Sequence, residues 1–206
     1  MNVLKGDWQF IAGAHNLAQI PQYQRNPEIA FCGASNVGKS SLINALVDKK
    51  IAITSATPGC TQQINFYCAN KESSKSLIVI DFPGHGYAKV GKKIKQHWQY
   101  TSYEFLTQRC NLKRVFFLID PIKLQNKDLK DDDLNLANTL SRFGISFQIV
   151  FTKTDKLSPQ EIAVAENKIL EKAAILPTLH PSILKVNTRY KDGISTLRNE
   201  VINLLS

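Results

Sequence analysis

Short apolar runs alternate with longer amphipathic stretches along most of the chain. Runs such as residues 115–119 (VFFLI) are apolar at consecutive positions, which is typical of a sheet that helices cover on both faces. The alternation predicts an α/β fold with a doubly wound, mostly parallel, six-stranded sheet. The predicted strands are Glu28–Cys32, Gln63–Cys68, Leu77–Asp81, Arg114–Asp120, Ser146–Thr152 and Ile183–Val186, and the predicted helices are Lys39–Val47, Lys92–Arg109, Leu129–Phe143, Pro159–Ala174 and Gly193–Leu205.

One pair of predicted strands departs from this alternation. Only the polar residues 69–76 separate Gln63–Cys68 from Leu77–Asp81, and such a segment is too short for a crossover helix. We therefore expect an antiparallel hairpin that gives the sheet one antiparallel edge strand. Residues 1–27 show no clear periodicity, so we interpret them as an N-terminal extension packed on a single domain of residues 28–206.

Composition narrows the class of protein. The 206 residues are 43% hydrophobic and 21% charged, as in an ordinary globular domain. The four cysteines form no CxxC pair and show no zinc spacing, which excludes a disulfide scaffold and a zinc ribbon and favours a reduced, cytoplasmic protein. We expect neither an export signal nor a membrane span. The net charge of +9 favours an anionic partner, either nucleic acid or an acidic surface.

The strongest chemical signal is residues 33–40 (GASNVGKS), which follow a predicted strand and open a predicted helix. The backbone N–H groups of such a GxxxxGKS loop and the helix N-terminus bind phosphates. In this motif Lys39 reaches the β- and γ-phosphates and the Ser40 hydroxyl ligates Mg²⁺. The sequence therefore predicts a nucleoside triphosphate site that includes Gly33, Ala34, Ser35, Asn36, Val37, Gly38, Lys39, Ser40 and Ser41.

A second motif ends the predicted strand Leu77–Asp81. Residues 81–84 (DFPG) have the form DxxG, with Phe82 and Pro83 at the variable positions. We expect Asp81 to hold Mg²⁺ through a water molecule, and the Gly84 N–H to meet the γ-phosphate.

A third motif selects the base. Residues 152–155 (TKTD) follow another predicted strand and match the guanine signature (N/T)KxD, with Thr152 and Thr154 at its first and third positions. The Asp155 carboxylate can accept hydrogen bonds from the N1–H and 2-amino groups of guanine, which adenine lacks. We expect Lys153 to lie along the base and brace the phosphate loop. The three motifs in this order predict a GTPase and disfavour an ATP-using enzyme.

Three stretches together resemble the EngB (YihA/YsxC) family of bacterial, translation-factor-related GTPases: residues 33–44 (GASNVGKSSLIN), 57–62 (TPGCTQ) and 81–89 (DFPGHGYAK). The resemblance extends from about residue 8 to the C-terminus. It implies a Ras-like fold that binds Mg²⁺ and GTP and acts as a switch in assembly of the large ribosomal subunit. We expect slow GTP hydrolysis, and impaired cell division and septation when such a protein is lost.

Further roles follow from the positions of residues within this resemblance. Thr61 corresponds to the switch I threonine, whose hydroxyl ligates Mg²⁺ and whose N–H meets the γ-phosphate. Backbone N–H groups within Val186, Asn187 and Thr188 are expected to contact the guanine oxygen. The implied nucleotide site also includes Gly59, Cys60, Gln62 and Gln63.

Three positions depart from the family pattern, and a fourth has two interpretations. Ala34 and Cys60 stand where the family has basic residues, so positive charge is missing there. His85 stands where the family commonly has tyrosine. It either orients the attacking water or turns away from the nucleotide. Asn36 either ligates a K⁺ ion that bridges the phosphates or serves only the turn.

A basic cluster, defined as Lys89, Lys92, Lys93 and Lys95, follows the DxxG motif, with aromatic residues interleaved. A charge run is usually a solvated helix face, but this one adjoins the segment that senses the γ-phosphate. We expect it to contact ribosomal RNA when GTP is bound, in a monomeric protein. The alternative is a nucleotide-switched protein-interaction module of the division machinery without RNA contact.

Overall fold

The computed structural model describes residues 4, 6–21, 26–54, 63–69, 76–85, 101–125, 127–173 and 175–205. Helix and strand bounds agree with the predicted ones to within a few residues, although residues 92–100 of one predicted helix lie outside the described residues. The strands are β1 (Trp8–Ala14), β2 (Glu28–Gly33), β3 (Ile64–Ala69), β4 (Ile78–Asp81), β5 (Leu112–Ile119), β6 (Phe147–Phe151) and β7 (Leu184–Lys185). The helices are α1 (Lys39–Val47), α2 (described over residues 101–108), α3 (Asp131–Arg142), α4 (Pro159–Ala173) and α5 (Ile194–Asn203).

All of these strands form one sheet in the order β1-β3-β4-β2-β5-β6-β7. The run from β4 through β7 is parallel, whereas β3 is antiparallel to both of its neighbours. The predicted α/β, mostly parallel, doubly wound architecture and the predicted β3–β4 hairpin are therefore confirmed.

The predicted count of six strands and the position of the antiparallel strand are wrong, because residues 8–14 form the strand β1. It pairs with β3 from Trp8 opposite Ala69 to Ala14 opposite Ile64, so β1 and not β3 lies at the sheet edge. The register shifts between Phe10 and Ala12. Such a bulge interrupts the period-two alternation of side chains, which is the signal that the sequence pattern depends on.

Both faces of the sheet are covered, as the apolar strands predict. In β5 the side chains of Val115, Phe117 and Ile119 belong to the apolar layer that includes residues of α3 and α4. Phe116 and Leu118 belong to the opposite layer, with residues of α1 and α5. Since alternate residues of a strand face opposite sides, a strand between two cores is apolar throughout.

The C-terminal helix is bonded to the end of α1. Arg198 of α5 donates from Nε to the Leu46 carbonyl at 2.8 Å and from Nη2 to the Ala45 carbonyl at 2.8 Å. Carbonyls in the last turn of a helix have no partner within it, so the guanidinium satisfies groups that would otherwise need water. The helix that follows the phosphate loop is thus supported from the far end of the chain.

Candidate functional site

The predicted phosphate loop lies between β2 and α1, at the carboxyl edge of the parallel strands where ligands of such folds bind. Gly33, Asn36 and Gly38 have positive φ angles of 147°, 58° and 109°. A Cβ on Gly33 would lie 2.6 Å from the Leu118 carbonyl oxygen, so this turn needs glycine. Gly38 is the N-cap of α1, and the first N–H groups of the helix therefore open onto the loop.

The side chain of Lys39 packs against the phosphate loop and bonds to its backbone. Its Nζ donates to the carbonyls of Gly33 at 3.0 Å and Ala34 at 3.1 Å, and the residue is only 7% exposed. Burial lowers the pKa of Lys39, and the charge of nearby Asp81 acts in the opposite direction. A buried ammonium group is thus held directly against the loop that the sequence assigns to phosphates.

Asp81, at the end of β4, meets the start of α1. The Ser40 hydroxyl donates to its Oδ2 at 3.1 Å, while its other oxygen, Oδ1, is buried and has no hydrogen-bond partner among the described residues. Burial raises the pKa of Asp81 to about 6, against the opposing effects of Lys39 and the Ser40 hydroxyl. An unpartnered carboxylate oxygen beside a hydroxyl is the oxygen-donor chemistry that suits Mg²⁺.

Among the described residues, no group of three or more His, Cys, Asp or Glu side chains could hold a metal ion. Mg²⁺ at nucleotide sites is bound by one or two protein groups together with phosphates and water, and not by an all-protein cage.

The DxxG segment packs directly on the phosphate loop. The Ser35 N–H donates to the His85 carbonyl at 3.0 Å, and a parallel bridge joins Ala34 to His85. A Cβ on Gly84 would lie 2.8 Å from Ser35 Cα and 3.1 Å from Lys39 Nζ. The close approach leaves no room for a side chain at this position.

The His85 ring points to α3. Its Nε2 lies 2.5 Å from Asp133 Oδ1, and both side chains are largely buried. The ring also meets Phe117 edge-on, with ring centroids 6.2 Å apart. In this conformation the ring is therefore held between Asp133 and Phe117. Asp133 is a functional candidate that the sequence analysis missed, because an acidic run in the first turn of a helix is common without any functional role.

The TKTD segment is bonded to the phosphate loop at two points. The Thr152 hydroxyl donates to the Val37 carbonyl at 2.8 Å, and Lys153 Nζ donates to the Asn36 carbonyl at 3.0 Å. Lys153 Nζ also donates to Asp120 Oδ2 at 2.9 Å. The lysine thus braces the loop as its motif predicts. Asp120 was missed, although a carboxylate at the carboxyl end of β5, beside β6, is the signal that could have found it.

The predicted base-binding residues lie beside each other. Asp155 is exposed within the single turn Thr154–Lys156, and the Thr154 hydroxyl donates to the Val186 carbonyl at 3.4 Å. This contact joins the TKTD segment to the loop 186–188, so the two segments can contact one base.

In the loop 186–188, two of the three backbone N–H groups donate hydrogen bonds to other backbone carbonyls of the protein. The Val186 N–H donates to Phe151 at 2.8 Å, and the Asn187 N–H donates to Asp192 at 3.0 Å. The Asn187 Oδ1 accepts the Arg189 N–H at 2.9 Å, which shapes the turn. Among the described groups, the N–H of Thr188 is then the one left to cap a base.

The remaining predicted site residues fall into two groups. Phe82 is buried, Ser41, Pro83 and Thr188 are part-exposed, and Gln63 Nε2 donates to Asn65 Oδ1 at 3.0 Å. Gly59, Cys60, Thr61, Gln62 and the basic cluster lie outside the described residues. None of the helices in the described part of the chain has the length and apolar character needed to cross a membrane.

Sequence comparisons place the chain among known GTP-binding proteins. The family of 50S ribosome-binding GTPases matches residues 28–153. A protein named probable GTP-binding protein EngB from Bradyrhizobium diazoefficiens is 41% identical, over 97% of this chain and 89% of its own length. A protein of the same name from Rhodopseudomonas palustris is 38% identical, over 98% of this chain and 91% of its own length.

Solved structures show the same fold. The crystal structure of a probable GTP-binding protein EngB matches with a TM-score of 0.67 and 21% identity, over 86% of this chain and 98% of that one. Era from Aquifex aeolicus bound to GDP and AlF4⁻ matches with a TM-score of 0.68 and 21% identity, over 89% of this chain and 58% of that one. At these identities the likeness carries the fold alone.

Proposed function

The chain belongs to the EngB family of GTP-binding proteins, a GTPase family of ribosome assembly, and on this premise we propose that it is a GTP-driven switch acting on the large ribosomal subunit. It works in the cytoplasm as a monomer, hydrolyses GTP slowly, and its loss impairs septation. The observation that carries the proposal is the bonding of the TKTD segment to the phosphate loop.

Different parts of the site bind the phosphates and the base of the nucleotide. The phosphate loop and Lys39 hold the phosphates, while Asp155 accepts from the guanine N1–H and 2-amino groups. The Thr188 N–H donates to the guanine oxygen. Because Lys153 and Thr152 bond the base-binding segment to the carbonyls of the phosphate loop, base and phosphates are held at a fixed spacing.

The reaction is attack of water on the γ-phosphorus. The new P–O bond replaces the bond to the β–γ bridging oxygen, giving GDP and phosphate with the water proton carried on the phosphate. Ser40, Thr61 and, through water, Asp81 would hold Mg²⁺, whose charge offsets that of the phosphate oxygens. Lys39 and the Gly84 N–H stabilise negative charge on the γ-phosphate, and His85 orients the water once its ring faces the nucleotide.

Slow hydrolysis is supported by the direction of the His85 ring. In this conformation its Nε2 bonds to Asp133. A water-orienting group contributes only when it is within hydrogen-bond reach of the water, so this conformation lacks that contribution.

Two roles remain open for Asn36. Its φ of 58° suits the left-handed turn of the phosphate loop, whereas ligation of K⁺ by its side-chain oxygen would make hydrolysis depend on K⁺. Replacing Na⁺ with K⁺ at constant ionic strength is expected to raise the hydrolysis rate of the wild type but not of Asn36→Ala. An equal rate in both salts would leave Asn36 with a turn role only.

Ribosome contact is supported by the basic cluster and the net charge of +9. The cluster follows the segment that senses the γ-phosphate, so ordering of that segment by GTP would present the lysines to ribosomal RNA.

The test is co-sedimentation of the pure protein with large ribosomal subunits at stated salt. The protein is loaded with GDP or with a non-hydrolysable GTP analogue, and the double variant Lys92→Glu/Lys93→Glu is compared with the wild type. A matched control, Lys50→Glu/Lys172→Glu, makes the same change of charge at two lysines outside the basic cluster.

We expect binding with the analogue only, abolished in the Lys92/Lys93 variant and kept in the control. Binding that ignores the nucleotide would contradict a switch. No binding in either state would favour the protein-interaction module of the division machinery.

A further inference from the structure

The backbone of His85 is fixed against the phosphate loop. Its carbonyl accepts the Ser35 N–H, and the preceding Gly84 is packed too tightly on Ser35 to admit even a methyl group. Movement of this backbone would therefore disturb the phosphate loop itself. The direction of the imidazole ring is consequently decided by the side-chain torsions of His85 and by what the ring contacts.

Asp133 supplies the contact that sets this direction. His85 Nε2 lies within hydrogen-bond distance of Asp133 Oδ1, and the side chains are only 15% and 13% exposed. A hydrogen bond to a carboxylate is stronger than one between neutral groups. Because little water reaches the pair, the carboxylate competes well for the ring. Phe117 closes the side of the ring that faces β5.

We propose that Asp133 is a positioning residue for GTP hydrolysis, which holds the His85 ring against α3 and away from the attacking water. Hydrolysis accelerates when this contact is released. The inference rests on the proposed function, in which His85 orients the water. Because Asp133 bonds to the ring, we expect it to act on the rate of the chemical step and not on GTP affinity.

The first test compares kcat and KM for GTP hydrolysis by the isolated protein. Release of a charge-assisted hydrogen bond shifts a two-state side chain by about tenfold, so Asp133→Ala is expected to raise kcat by about tenfold with KM unchanged. Asp133→Asn keeps an acceptor oxygen without the charge and gives a smaller rise. Asp131→Ala removes an exposed carboxylate from the same helical turn and leaves both constants unchanged.

The second test asks whether the effect passes through the ring. In a His85→Ala background, adding Asp133→Ala is expected to change kcat by less than about twofold, because no ring remains to be released. The imidazole ¹⁵N resonances of His85 should shift in Asp133→Ala and stay in place in Asp131→Ala, whatever the activity.

Three results would overturn the inference: no rise in kcat for folded Asp133→Ala, an equal rise with and without His85, or unmoved His85 resonances. None of these measurements involves ribosomes. Co-sedimentation can therefore confirm nucleotide-gated ribosome binding even when the kinetic tests contradict the role of Asp133. The kinetic tests can likewise confirm the role of Asp133 when co-sedimentation contradicts ribosome binding.

Discussion

Removing the charge of Asp81 tests the electrostatics of the site directly. The carboxyl is buried, with one oxygen bonded to Ser40 and the other lacking a partner in the described part of the chain. Burial raises its pKa to about 6 from the ordinary 3.8, and the nearby Lys39 ammonium opposes this shift without cancelling it. The folded, nucleotide-free protein therefore holds a proton here at pH values where the unfolded chain has lost it.

The sign of the pH dependence follows. Between about pH 4 and pH 6 the folded state binds more protons at Asp81, so this residue makes the free energy of unfolding fall as pH rises. From about pH 7 upward both states are ionised and the loss is complete. A pKa difference of about two units corresponds to about 3 kcal/mol, at about 1.4 kcal/mol per unit.

The assay is urea unfolding of wild type and Asp81→Asn at pH 4, 5, 6 and 7, without nucleotide or Mg²⁺. The amide does not titrate, so other carboxylates cancel in the difference. Wild-type stability relative to the variant should fall by about 2.5 kcal/mol between pH 4 and pH 7, most of the full difference. Asp48→Asn is the control with opposite sign, because Lys191 lowers the pKa of Asp48 and that exposed pair is lost as pH falls. A pH-independent difference for Asp81→Asn would refute the reasoning.

Two substitutions test the nucleotide contacts. Gly84→Ala should weaken binding of a fluorescent GTP analogue by roughly 10- to 100-fold, because overpacking against Ser35 costs about 1–3 kcal/mol. Gly144→Ala, where a Cβ would meet nothing within 4 Å, should leave that affinity unchanged, and equal affinities in both variants would contradict the steric argument. Asp155→Asn should lower affinity for GTP by roughly 10- to 100-fold and leave that for ATP unchanged, measured by competition. An unaltered ratio would remove Asp155 from the guanine site.

The fold was predictable where burial imposes a pattern. β5 is apolar on both faces because two cores need its side chains, and α1 begins where the glycine loop ends. β1 was not predictable in this way. It is a part-exposed edge strand with a bulge between Phe10 and Ala12, and its assignment depends on pairing with β3, more than fifty residues later.

The residues of the candidate site also fall into those that local sequence predicts and those that it does not. The phosphate loop, Asp81 and the TKTD segment could be predicted, since local spacing fixes which backbone and side-chain groups meet the nucleotide. Asp120 and Asp133 could not, because their roles come from partners that only the sheet topology brings near: Lys153 on the neighbouring strand end, and His85 beside the phosphate loop.

The hydrogen bonds from Arg198 to the last carbonyls of α1 form only late in synthesis of the chain, long after α1 itself has been made. The chain emerges from its N-terminus, so α1 is made 152 residues before the side chain that completes its end. A nascent chain that stops short of α5 carries every nucleotide-binding motif and still lacks the support of the helix that presents them. Maturation of the nucleotide site is thereby coupled to synthesis of α5.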